Sequence, residues 1–523
     1  MKMHTIAAAL LGLACAWPAS AATLILNNVD APGVGFNDPT PATPVGGNTG
    51  TTVGAQRLVA YRKALELWGK ALRSDVTIVV QGSFAGLDCD ASGGVLAQAG
   101  TIQIFSDFAG APLAGHWYHS ALANALYGAD LTPGAPDPGP LAEPYNDDIV
   151  ANFNGNVGQP DCIAGPGWYY GLDNNAPAGQ IDFLDTFMHE VSHGLGFSNF
   201  ANESTGTTPL GLPDVYMANT VDLSFGLPWN TTAFGPDTPL FINFSARNTG
   251  NVVWSGPKVT ANAPKVLGPY QGIRLTGTVN QELVFGTAAF GATPSEANFG
   301  GPIVVATDVN GTTLGCEPIT APVAGKIAFV DRGTCGFVVK ALNAQLAGAT
   351  GVIIGNNQPG GAIGLGGADP AVTVPTISVS QEDGTAIKAG SPGVSVGFFT
   401  DPSRQAGTNQ GFVRLYAPAT IALGSSISHF DTVAAPNLLM EPFITDDLRS
   451  ARNLDLTPAL MQDIGWALEP LKIGRCNTHV PNVMPNGDLF HVKVEACEAG
   501  ALDKRARFDK GRFVACVAKD ALA

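Results

Sequence analysis

His189, Glu190 and His193 stand in the run His-Glu-Val-Ser-His, which continues Gly194-Leu195-Gly196-Phe197. Two residues four apart on an α-helix share one face, so both imidazoles can reach a single ion. Neutral imidazole is a favoured donor to Zn²⁺, at ~2.0–2.1 Å. A carboxylate beside the first histidine can take a proton from water that zinc has made acidic. The chemistry this spacing supports is therefore metal-assisted hydrolysis. Catalytic zinc takes three protein ligands and keeps one position open, so a third donor must come from elsewhere. Two bare histidines in a buried helix would instead need other hydrogen-bond partners.

Five further histidines follow residue 21: His116, His119, His429, His479 and His491. His116 and His119 flank Trp117 and Tyr118, which suits a packed or surface helix start. His479 and His491 lie near the C-terminus. His429 sits in Ser426-Ile-Ser-His-Phe-Asp431.

The elements that must position these groups are legible in outline. Phe183, Leu184, Phe187 and Met188 precede the motif and predict a helix over 181–195, ended by Gly194 and Gly196. Leu58, Tyr61, Leu65, Trp68 and Leu72 have helical spacing over 56–72. Strands are expected at 76–80, 101–105 and 148–153, with short helices at 117–127 and 456–463. From about 266 to 400 glycine becomes dense. There a strand–helix–strand unit is expected over 326–330, 337–347 and 351–354.

Composition bounds the rest. The 523 residues carry a formal net charge of −16, which gives no general attraction for nucleic acid or anionic lipid. Residues 1–21 have the pattern of a secretory signal: Lys2 and His4, an apolar run from Ile6 to Ala16, then Ala19-Ser20-Ala21. No later stretch is apolar enough to span a membrane. An exported protein, secreted or periplasmic, is expected. In that setting the scattered cysteines form disulfides. Sequence proximity suggests Cys89–Cys162, Cys316–Cys335 and one pair among Cys476, Cys497 and Cys516, leaving one thiol over.

Four runs together resemble the leishmanolysin-type peptidases of the metzincin clan. They are the zinc motif, Ser428-His429-Phe430-Asp431, Leu438-Leu439-Met440-Glu441-Pro442, and Leu456-Thr457 through Gln462-Asp463-Ile464-Gly465-Trp466. The resemblance covers roughly residues 55–200 and 410–468. It implies His189, His193 and His429 as ligands of one catalytic Zn²⁺, Glu190 as general base, and Met440 in a methionine turn beneath the metal. It implies an endopeptidase acting on proteins or peptides. Most metzincins place the third histidine where Asn199 stands here, and amide oxygen is a poor zinc donor. A catalytically inactive zinc-binding adhesion or recognition protein on the same fold is the rival reading.

Residues 325–357, with Arg332, Gly333, Cys335, Phe337 and Lys340, are similar to the protease-associated domain over about 300–395. Together these readings give an α+β protein. A catalytic domain at 22–265 and 405–470, ending in a helical lobe, is split by a β-rich insert at 266–404. Residues 471–523 follow as a small separate appendage.

Overall fold

The computed structural model describes residues 21–90, 93–131, 147–163, 165, 167–177, 179–358, 361–367, 369–473, 476–502 and 509–522. Most of the signal-like segment at 1–21 lies outside them.

The zinc motif rides on a small sheet. Its strands are β1 (Leu24–Asn28), β2 (Ile78–Ala85), β3 (Ala97–Thr101) and β4 (Ile149–Asn154), in spatial order β1-β2-β4-β3. The pairs β1–β2 and β2–β4 are parallel, with Leu24 opposite Ile78 and Val80 opposite Ile149. Strand β3 runs antiparallel to β4 at the edge. Helix α1 (Val53–Ala71) makes the crossover from β1 to β2, as a parallel pair requires. Helix α2 (Ser120–Tyr127) precedes β4, and helix α3 (Phe183–Leu195) carries the motif.

Every residue of α3 is buried, because it lies between the sheet and the C-terminal part of the chain. Phe183 and Phe187 join Tyr61, Phe84 and Phe153 in one aromatic cluster, with Tyr61 and Phe187 centroids 4.0 Å apart. Such contacts add ~0.5–1.5 kcal/mol per pair beyond simple burial. Gly194 is required by proximity: a Cβ there would strike the Ile149 side chain of β4. Asp182 caps the helix, its Oδ1 accepting from the Leu184 and Asp185 N–H groups at 2.9 and 3.2 Å. At the other end the Trp466 indole N–H donates to Leu195 O at 2.8 Å.

The chain then leaves this domain and returns to it. One hydrophobic core unites residues before 268 with residues after 412, whereas two other cores lie wholly within 273–398. An eight-stranded sheet spans Pro269 to Gln405, with helices at Phe337–Leu346 and Gln381–Gly390. Four of its strands, beginning at Gly300, Ile327, Gly351 and Thr376, pair in parallel. The insert is thus β-rich, as expected, with two helices packed among its parallel strands. Glycine density suggested strands and turns but did not reveal that the strand–helix units repeat. Its two ends meet: the Ala406 N–H donates to Gly268 O at 2.9 Å. Beyond them Phe412–Arg414 pairs with Val252–Trp254, stitching the two catalytic segments together.

Two expectations are corrected. The segment 405–470 contains one eight-residue helix, Thr457–Ile464, among the described elements; turns fill most of the rest, so it is no helical lobe. The described residues around 483–489 are not a detached appendage either. Val483 and Leu489 belong to the outer hydrophobic core, and the Leu489 N–H donates to Arg452 O at 2.8 Å. Cys89–Cys162, Cys316–Cys335 and Cys497–Cys516 are bridged.

Because the ends of the insert are hydrogen-bonded neighbours, excising 269–405 and joining 268 to 406 leaves the outer core's side chains in place. The shortened protein is expected to fold and to bind zinc as the full chain does, with altered substrate preference. Circular dichroism and metal analysis check this; a folded product unable to bind zinc would show that the insert contributes to the site.

Candidate metal centre

Helix α3 supplies His189 and His193 from one face, and the turn at 425–431 supplies His429. All three side chains are buried, at 6%, 8% and 4% exposure. Nε2 of His189 lies 3.1 Å from Nε2 of His193 and 3.1 Å from Nε2 of His429. The three rings meet with centroids 4.7–5.0 Å apart.

The opposite ring nitrogens decide what that meeting means. His189 Nδ1 lies 2.7 Å from Leu439 O, His193 Nδ1 2.8 Å from Phe197 O, and His429 Nδ1 2.8 Å from Ser425 O. A carbonyl only accepts, so each Nδ1 carries the proton and donates. Burial also drives all three toward the neutral form, His189 to about 3, His193 to about 4 and His429 well below its ordinary value. In neutral imidazoles so oriented, every Nε2 presents a lone pair. Three lone pairs converge, His189 Nε2 lying 3.1 Å from each of the other two, and they repel one another with no proton between them. A cation resolves that repulsion, and tetrahedral Zn²⁺ with ~2.0–2.1 Å bonds places its nitrogen donors at almost this spacing. The residues present therefore fit the metal. The carbonyl acceptors fix ring orientation as ligand histidines require.

Glu190 is buried beside the trio, at 6% exposure. Among the described residues its carboxylate has no hydrogen-bond partner, and burial pushes its pKa up to about 8. Met440 is fully buried. Its carbonyl accepts from the Phe430 N–H at 2.8 Å, so the turn holding Met440 lies against the segment that carries His429. The preceding peptide is held from both sides. Leu439 O receives the His189 proton, while the Leu439 N–H donates to Asp455, whose other oxygen accepts from Thr457. Asp455 and the three carbonyl acceptors were not singled out from the sequence. Backbone acceptors leave no mark in residue identity, and Asp455 reads there as an ordinary loop aspartate.

The other candidates lie elsewhere. His119 is buried but contacts Ser198 Oγ at 2.8 Å and packs at a tilt against Phe200. His116 faces Asn230, and His491 faces Asn482. Asp431 pairs with Arg414 at 2.6 Å. Asn199 points its amide away from any ligand role. Its Nδ2 donates to Ser428 Oγ and Glu203 Oε1, both at 3.1 Å, and its Oδ1 accepts from the Ala201 N–H. Asn199→Ala is accordingly expected to retain one zinc per chain, with at most a modest rise in zinc dissociation through a looser Ser428. Metal analysis after dialysis checks it; a zinc-free product would make Asn199 a ligand after all.

Comparison with known proteins adds one firm assignment. Residues 299–387 match the PA domain. Within it Arg332 bonds Asn356 at 2.9 Å, and the buried Lys340 ammonium donates to Leu314 O at 2.6 Å. Leucine aminopeptidase 2 of Trichophyton rubrum is 47% identical over 73 residues, which is 13% of this chain and 14% of that protein. The minor extracellular protease Vpr of Bacillus subtilis (strain 168) is 46% identical over 70 residues, 13% of this chain and 8% of that one. The chain thus spans about a seventh or less of these relatives. A zinc aminopeptidase structure from Bacillus subtilis aligns with 28% of this chain and 37% of its own, at 23% identity and a TM-score of 0.20. No helix among the described residues is long and apolar enough to cross a membrane.

Proposed function

We propose that this chain is an exported zinc endopeptidase of metzincin type, with His189, His193 and His429 holding one catalytic ion and Glu190 as general base. The observation that carries the reading is the convergence of three neutral Nε2 lone pairs, each oriented by a backbone carbonyl. When bound, zinc supplies Lewis acidity to the scissile carbonyl and to water. Glu190, buried beside the trio, takes a proton from the attacking water and delivers it to the leaving amine. The histidines stay neutral and fixed throughout.

Relatives matching a short part of the chain are named aminopeptidases and a protease, and peptide-bond hydrolysis is common to those names. A single ion is favoured here. Among the described residues no aspartate or glutamate joins the trihistidine cluster to bridge a second metal. The PA domain lies between the two ligand-bearing segments and is read as a substrate-recognition surface.

The test is incubation of the full chain with casein and with a leucine anilide, each with and without chelator. Internal cleavage of casein that stops on chelation and returns with zinc is expected. Release of amino-terminal residues alone would replace the endopeptidase reading with an aminopeptidase. Bound zinc with no hydrolysis of either substrate would favour the recognition protein.

A further inference from the structure

The ring of His189 is only as well placed as the carbonyl it donates to. That carbonyl, Leu439 O, accepts the Nδ1 proton at 2.7 Å. Its direction depends on how the chain on either side is held. Before it, the Leu438 N–H donates to Glu441 Oε1 at 2.8 Å, and the Leu439 N–H donates to Asp455 Oδ2. After it, the Met440 carbonyl accepts from the Phe430 N–H at 2.8 Å. Glu441 belongs to the same turn and Phe430 follows His429. Asp455 reaches Leu439 from sixteen residues further along the chain.

Helix capping explains only part of Asp455. Its Oδ1 accepts the Thr457 N–H and hydroxyl, both at 3.0 Å, at the start of the helix Thr457–Ile464. A cap needs one oxygen, and serine or threonine supplies it as well. The second oxygen, aimed at Leu439, has no part in that role. The backbone is also unusual. Asp455 has φ +43°, in the left-handed region that residues with a Cβ seldom enter. A clasp from the C-terminal part of the chain holds it there. The Leu454 N–H donates to Gly487 O at 2.9 Å, and Asn453 Nδ2 donates to Asn486 O at 3.1 Å and Asp488 Oδ1 at 2.7 Å. Asn453 Oδ1 accepts the Asp455 N–H at 2.7 Å. Gly487, itself at φ +85°, packs so closely that a Cβ there would strike the Asp455 backbone. A sparsely populated conformation persists only where converging contacts impose it, and such residues cluster at functional sites.

We infer that Asp455 is a positioning residue for His189: clasped by the loop at 486–488, its carboxylate fixes Leu439, and the Leu439 carbonyl fixes the ring and tautomer of the histidine. The inference deepens the proposed function and rests on its reading of His189 as a ligand. A neutral imidazole ligates through the nitrogen that lacks the proton. With Leu439 O in place, the proton stays on Nδ1 and Nε2 keeps its lone pair. With Leu439 released, the carbonyl turns and the Nδ1 proton loses its acceptor. The proton then also populates Nε2, the nitrogen that faces His193 and His429. The C-terminal loop thus reaches the metal centre through four contacts without touching it.

The test uses the full chain with ¹⁵N-labelled histidine, first stripped of metal, then titrated with zinc against a competing chelator. Asp455→Ser keeps a capping oxygen for Thr457 but is too short to reach Leu439. Its zinc dissociation constant should rise at least ~tenfold, as loss of support behind a ligand histidine does. In the metal-free protein its His189 Nδ1 proton should exchange with solvent faster, while Tm stays within a few degrees. Asp455→Asn covers the case in which the serine variant folds poorly. It has one acceptor for donors on two sides, so both readings should move in the same direction. A folded variant with wild-type His189 exchange and wild-type zinc affinity would overturn the inference, and a lowered Tm alone would reduce Asp455 to a helix cap. Wild-type protein that binds no zinc would retire the proposed function, and the exchange rates would still decide whether Asp455 holds His189.

Discussion

Glu190→Gln is expected to retain one zinc per chain and to lose ~10²–10⁴ of the peptide-hydrolysis rate, the usual worth of a general base. Glutamine has the shape of glutamate but cannot accept the proton. The surroundings make the substitution a clean one. Glu190 is no member of the three-histidine cluster, and its carboxylate holds no other part of the fold among the described residues. Burial raises the carboxyl's pKa, so replacing it by a neutral amide relieves a desolvation cost and should leave stability unchanged or slightly higher. The measurement is a rate on casein with zinc content determined on the same sample. A variant with wild-type turnover would remove Glu190 from the mechanism. A variant that loses both zinc and activity would make Glu190 part of the metal's support.

The second large effect is expected at His429. His429→Ala should lose zinc and activity together while the helix signal of the protein persists. If three ligands share a site worth ~10 kcal/mol equally, removing one costs about 3 kcal/mol, on the order of a hundredfold in affinity. Loss of the side chain also frees Ser425 O, its acceptor at 2.8 Å, but that turn stays anchored elsewhere. The Tyr416 N–H donates to His429 O, and the Phe430 N–H donates to Met440 O. Zinc retained at wild-type affinity would leave His189 and His193 in need of a different third donor. It would also end the leishmanolysin-type reading of the site.

What the sequence made legible follows a physical line. Helix α3 was readable because its apolar positions, its glycines and its paired histidines all obey one period. The cysteine pairs at 89–162 and 316–335 followed from proximity. His429 was different. Nothing in its local pattern marks it, and it came from the resemblance, because it lies 240 residues from His189 with the whole folded insert between them. The docking of residues near 482–489 was missed because backbone groups make much of it, such as the Leu489 N–H to Arg452 O at 2.8 Å and the Asn482 N–H to Glu469 O at 2.8 Å. Any residue carries those groups, so no composition reveals them. The helical lobe was over-read. Leu456 to Asp463 has helical spacing, but the Asn, Asp, Ser and Pro residues upstream of it favour turns, and turns are what form.

The closed neck of the insert, where Ala406 hydrogen-bonds to Gly268, bears on the order in which the protein is made. Chains are synthesised from the N-terminus, and domains fold as they emerge. The first two histidines and the base are present early, but the proposed third ligand lies beyond an entire folded unit. Until that unit has emerged and its ends have met, a growing chain holds two imidazoles, a carboxylate and no complete hydrolytic centre. Under the proposed function, such a chain could not cut itself or its neighbours before that point. The same neck lets the insert exchange, grow or diverge at its far side while the spacing of the three nitrogens is untouched. Timing and evolvability would then both rest on one backbone hydrogen bond and the strands that flank it.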